Sequence, residues 1–132
     1  MSAASIQSVR PTRRIGAWTL QAILAAAFLA AGLAKLDGVP FMVELFEQIG
    51  LGQWFRVVTG VVEVTGAVAL LVPGLASIGA LWLGFTMVGA VATHLFVLHT
   101  SPVPAIVLGL LNTLVVYLRR EELIALLHRV KG

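Results

Sequence analysis

The sequence contains no cysteine, which excludes a thiol–disulfide mechanism, cysteine-ligated zinc and iron–sulfur clusters. Charge is scarce too. Only 11% of the residues are Asp, Glu, Lys or Arg, less than half of the roughly 25% usual in soluble domains. A soluble chain of 132 residues needs a polar shell that this composition does not supply. What the sequence has instead is apolar residues, 59% of the total, with a mean hydropathy of +1.00. They fall in blocks about as long as the ~20 residues that cross a bilayer. The composition is that of a polytopic membrane protein.

A formal charge of +3 and a pI near 10.2 would suit a nucleic-acid binder. The basic residues, however, cluster at the two ends of the chain without aromatic interleaving, so they read as topology signals. Nucleic acid is not an expected partner.

Residues 1–14, "MSAASIQSVRPTRR", are polar and end in Arg13 and Arg14, the pattern of a disordered cytosolic tail. "IGAWTLQAILAAAFLAAGLA" (15–34) is the first span. A cleaved signal peptide competes for this stretch, but the run exceeds the ~7–15 apolar residues of such a core. In the connection that follows, Pro40 suits a helix start and Gly50 a helix end. Phe41, Met42, Leu45, Phe46 and Ile49 share one face between them, opposite Glu44, Glu47 and Gln48. This predicts a short amphipathic helix that lies on the membrane surface, caps the bundle, or serves as an ordinary loop helix. Spans follow at 54–73, 78–98 and 105–118. The last is short, so its helix is expected to begin near Pro102 and run on into "RREELIALLHRVKG". Residues 121–132 form an amphipathic cytosolic tail, leaving 15–120 as the membrane domain.

An even number of spans puts both termini on one side. Arg10, Arg13, Arg14, Arg119, Arg120, Arg129 and Lys131 then lie together, with Lys35 and Arg56 opposite. The positive-inside rule makes the termini cytoplasmic. The expected fold is all-α: an integral membrane antiparallel four-helix bundle with the amphipathic helix in its first outer connection.

At ~1.5 Å of rise per residue, Glu63 in "VTGVVEVTGAV" lies about 13 Å below the outer surface, near mid-membrane. Asn112 and Thr86 fall at similar depth, Lys35 and His94 nearer the surface, and Arg56 two turns above Glu63 with Thr59 between them. Lys35, Arg56, Thr59, Glu63, His94 and Asn112 are therefore expected to form an outward-opening polar column, since intramembrane ionisable groups face a bundle interior and find partners. Gln21 is the one comparable residue in the inner half, and it reads as a bridge between helices. Gly60, Gly66, Gly79, Gly84, Gly89 and Gly109 allow close helix packing. They would also leave room for a flat lipophilic ligand. His94 with Glu63 is too sparse a set for a metal, and none is expected.

With "FLAAGLAKLDG" (28–38), "GVVEVTGAVALLVP" (60–73) and "GAVATHLF" (89–96), the chain resembles the DoxX family of small four-span membrane proteins, particularly its DoxX-like branch. The similarity covers about residues 15–120, and the order Lys, Glu, His in consecutive spans carries it. The resemblance implies that Lys35, Glu63 and His94 occupy the family's polar positions. Family members have varied roles. Some are subunits of membrane oxidoreductases passing electrons from sulfur compounds to quinone, some belong to membrane complexes of oxidative-stress defence, and a related animal branch assists receptor assembly.

Three functions compete. A non-catalytic membrane chaperone or scaffold subunit with an outward-opening polar pocket leads, because no catalytic set is complete, and whether the chain is an enzyme stays open. The alternative is an accessory subunit of a membrane oxidoreductase, with Lys35, Glu63 and His94 serving a quinone-like ligand. A small proton-coupled transporter is the third. No covalent cofactor is expected, and a quinone or another lipophilic ligand is the candidate. The expected partners are the bilayer of the cell membrane and a redox-enzyme subunit, another membrane protein or a second copy of the chain.

Overall fold

Alanine and leucine, strong helix formers, dominate residues 15–34, and the helix built on them, α1, spans Ala3–Asp37. The computed structural model describes residues 3–131, with side chains from residue 11 onward. Among these residues every regular element is helical and no strand occurs, as required where lipid offers the backbone no partner.

α1 begins earlier than the sequence suggests. The stretch expected as a tail is helical from Ala3, with Pro11 inside the helix, and its residues 1 and 2 lie outside those described. Proline removes one helical hydrogen bond, but Arg13, two residues on, ties this turn to the other end of the chain. Its guanidinium donates to Leu118 O at 2.9 Å and to the Glu121 carboxylate at 2.9 and 3.0 Å.

The first connection folds as α2, Pro40–Ile49, which starts on proline and stops at Gly50. Gly50 adopts φ 83°, a left-handed conformation that glycine enters without strain, and its amide donates to Phe46 O. Phe46 is buried and α2 packs on α3, so this helix caps the others.

α3 spans Gln53–Leu71 and α4 Ala76–Thr93, the latter continuing through a wider π-helical turn at His94–Leu98. α5, Val103–Leu118, begins just after Pro102. The expectation that it runs on into the C-terminal segment is corrected: the chain bends by 67° before α6, Arg120–Lys131. The bend falls at Arg119, which leaves helical geometry (φ −111°, ψ 24°). Its side chain lies over the Trp18 ring and bonds Gln21 on α1.

Pro11–Asp37, Gln53–Leu71 and Ala76–Leu98 are long and apolar enough to cross a membrane, and α5 with α6 qualifies as a bent pair. α1 packs on α3, α3 on α4, α4 on α5 and α5 on α1. Neighbours run in opposite directions. Gln21 meets Leu70 and Lys35 meets Glu63 along α1 and α3, while Gly66 meets Leu83 and Gly79 meets Ala69 along α3 and α4. Leu24, Phe28, Leu70, Leu83, Met87 and Val115 fill the centre. Lipid tails are as apolar as these side chains, so close packing and buried polar contacts, rather than the hydrophobic effect, hold the helices together.

Candidate functional site

Two glycines bring the polar residues within reach. A Cβ on Gly32 of α1 would lie 2.8 Å from Val64 Cγ2 and 3.0 Å from Gly60 O on α3, so the helices cross tightly only because side chains are absent here. Three residues beyond each glycine stand Lys35 and Glu63. Lys35 Nζ lies 3.0 Å from Glu63 Oε1 and 3.1 Å from Oε2. The side chains are 11% and 5% exposed, so each charge depends on the other. An ammonium carries three N–H donors. One of them donates to Glu63 Oε2, leaving donor capacity for the space alongside.

That space is a cavity of about 480 Å³ beneath α2. Lys35, Thr59, Glu63, Thr86, Thr93 and His94 contribute its polar wall, and the rest is apolar, with Phe46, Phe55 and Phe85 the largest side chains. Thr59 spends its hydroxyl proton on Phe55 O at 2.8 Å. His94 opens the π-helical turn, a feature frequent at functional sites, and its Nδ1 lies 2.7 Å from Thr100 Oγ1. Leu45, Phe46 and Ile49 of α2 and Leu98 of the turn also line the cavity. The expected column open to the outside is thus roofed by apolar side chains.

Two of the six expected column residues lie elsewhere. Arg56 turns away from Glu63: its Nη1 donates to Lys35 O and its Nε to Gln53 Oε1 at 2.7 Å. Gln53 Nε2 in turn donates to Val43 O at 3.0 Å. Arg56 therefore neutralises the carbonyl end of α1, where a cation suits the helix dipole, and links it through Gln53 to α2. Asn112 is fully buried but absent from the cavity wall. Its Nδ2 donates to Leu108 O at 2.9 Å, and its Oδ1 has no partner. Lys35, Thr59, Glu63 and His94 are the four that the fold brings together.

The opposite end holds a polar cluster that the sequence showed only as a lone Gln21. Gln21 is 1% exposed and joins three helices, donating to Leu70 O at 2.7 Å and accepting from Arg119 Nε at 2.8 Å. Nearby, Glu122 accepts from the Ala76 amide at 3.1 Å, capping the start of α4. Neighbouring Glu121 is held below its ordinary pKa of 4.5, first by a hydrogen bond from its own backbone amide and then by Arg13. The signal available was topological, because an even span count brings the start of the first span to the end of the last.

A Bacillus subtilis (strain 168) protein called "Uncharacterized protein YdgD" is 38% identical over 88 residues, which cover 63% of this chain and 76% of that one. No solved structure matches the chain. The family model described as the DoxX-like family matches residues 19–116, a stretch that includes Lys35, Thr59, Glu63 and His94. The chain belongs to the DoxX-like family.

Proposed function

We propose that the chain is a four-span protein of the cell membrane, an antiparallel four-helix bundle with both termini cytoplasmic, that holds one lipophilic molecule in the cavity beneath α2. It acts as a non-catalytic accessory or scaffold subunit of a larger membrane assembly. The observation that carries this reading is the contrast within the cavity: a paired Lys35 and Glu63, and His94 lining the same space, on a wall that is otherwise largely apolar. The occupant that suits it has an apolar body and a head that accepts a hydrogen bond from a free N–H of Lys35. A quinone has this chemistry, with carbonyl oxygens as acceptors. Any electrons it carries must then come from a partner subunit. The basic ends of the chain favour the cytoplasmic placement of the termini.

A second reading rests on the Gly32–Gly60 crossing and the buried ion pair, which together can fix helix register without a ligand. The two are separated by isolating the protein in native-lipid particles and weighing what is extracted with it. Binding predicts a polar-headed lipophile enriched with wild type and lost from the double variant Lys35→Met, Glu63→Leu, whose helices still melt as one unit. Register-fixing alone predicts no enriched molecule in either.

A further inference from the structure

The cavity has a side as well as a roof. Val58, Val62, Phe85 and Gly89 line it, and three of these also face the surrounding lipid: Phe85 is 73% exposed, Val58 46%, and Gly89 is exposed. All four sit along the α3–α4 seam, whose two halves differ. In the half near the chain termini a Cβ on Gly66 would meet the Leu83 side chain at 2.5 Å, and one on Gly79 would meet Ala69 Cβ at 2.8 Å, so the helices are closed on each other. Trp82 Nε1 donates to Val62 O at 3.0 Å where this closed half ends. Beyond it a Cβ on Gly89 would meet nothing within 4 Å. With Val58 and Phe85, which both line the cavity and are exposed, this open stretch of the seam forms a cleft from the surface to the wall that carries Glu63.

We propose that the cavity is loaded from within the bilayer through this α3–α4 cleft, so its ligand is a membrane-resident amphiphile whose tail stays in the cleft while its head reaches Lys35. The inference rests on the binding role proposed above and adds the ligand's class and route. A water-borne molecule would instead have to displace Leu45, Phe46 and Ile49 of α2, the apolar roof. The cleft asks for no such opening. A lipid-soluble molecule already partitions to the depth at which Phe85 and Gly89 stand.

The test uses the full chain in phosphatidylcholine nanodiscs and a benzoquinone carrying a ten-carbon tail with a terminal diazirine. Irradiation followed by peptide mapping locates the tail, and excess unlabelled quinone identifies specific labelling. The expected result is competable labelling concentrated on α3 and α4 around Val58, Val62 and Phe85. It falls at least tenfold in Gly89→Phe, which fills open space and keeps the wild-type melting temperature. Competable labelling that lies on α2 or the π-helical turn overturns the route while leaving the binding role intact. So does labelling around the cleft that a folded Gly89→Phe leaves unchanged. If Gly89→Phe does not fold, the map on wild type decides alone. Absence of competable labelling on wild type overturns both.

Discussion

Lys35 and Glu63 come from different helices, and neither charge is tolerable in hydrocarbon without the other. Removing one partner of such a buried pair typically costs about 3–5 kcal/mol, whereas replacing both with apolar residues can be neutral. Lys35→Met and Glu63→Leu are each expected to destabilise the protein by that amount, and the double variant by less than either. Chemical denaturation in a defined detergent measures all three, and simple additivity would argue against a direct pair. Gln21→Leu strands Leu70 O and Arg119 Nε, so a loss of about 1–3 kcal/mol is expected there as well. The two sites differ in kind, since only the Lys35–Glu63 variants should also change what the cavity holds.

At this scale the sequence was partly legible. Glu63 announced itself as the single acid in an apolar run, and its depth followed from counting residues. Arg56 was placed in the same column because it shares a face with Glu63, but its long side chain turns outward to the nearest helix end instead. Depth alone also misplaced Asn112, because it does not fix how α5 is rotated about its axis. Gln21 and Arg119 are separated by 98 residues, and their contact follows only once the helix order is known.

The elements are held at their ends by charged side chains from other elements. Arg56 joins α1, α3 and, through Gln53, α2, so Arg56→Ala is expected to loosen the roof over the cavity. Hydrogen exchange of the α2 amides should rise at least tenfold while that of α3 stays unchanged; equal protection in both proteins would mean that packing alone holds α2. At the other end Arg13 and Glu121 fasten α6. Because the Glu121 carboxyl titrates below 4.5 in the folded chain, this tie contributes stability above the ordinary carboxylate pKa and loses it as pH falls through the lowered folded value. The pair is exposed and is worth at most about 1 kcal/mol. A spin label on α6 should therefore become more mobile below about pH 4 and in high salt, and should be insensitive to both in Arg13→Ala.

Helix positions were the easiest feature to read, since apolar run length and the Pro40 and Gly50 punctuation both act locally. The 67° bend before α6 was not legible. "RREELIALLHRVKG" continues a helical pattern without a break, and the bend falls at Arg119, whose partners Trp18 and Gln21 are far away in sequence.

For the whole molecule, the closed packing order of α1, α3, α4 and α5 gathers the two ends of the chain at one pole and α2 at the other. If the basic pole is cytoplasmic, a fluorescent protein fused after Gly132 should fluoresce and a periplasmic phosphatase at the same place should be inactive. The reverse pattern would invert the proposed orientation and leave the cavity facing the cytoplasm. The low charge and the apolar excess were sufficient to predict a membrane protein. They could not reveal the cavity, whose wall draws on residues of α1 to α5 that come together only in the folded chain.

The most direct test is a density map of the protein in its native lipid, examined between Lys35, His94 and the α3–α4 cleft. The account predicts non-protein density there, with its head within hydrogen-bonding distance of Lys35 Nζ and its tail leaving between Val58 and Phe85. A cavity closed by protein side chains, or holding only water, would contradict it.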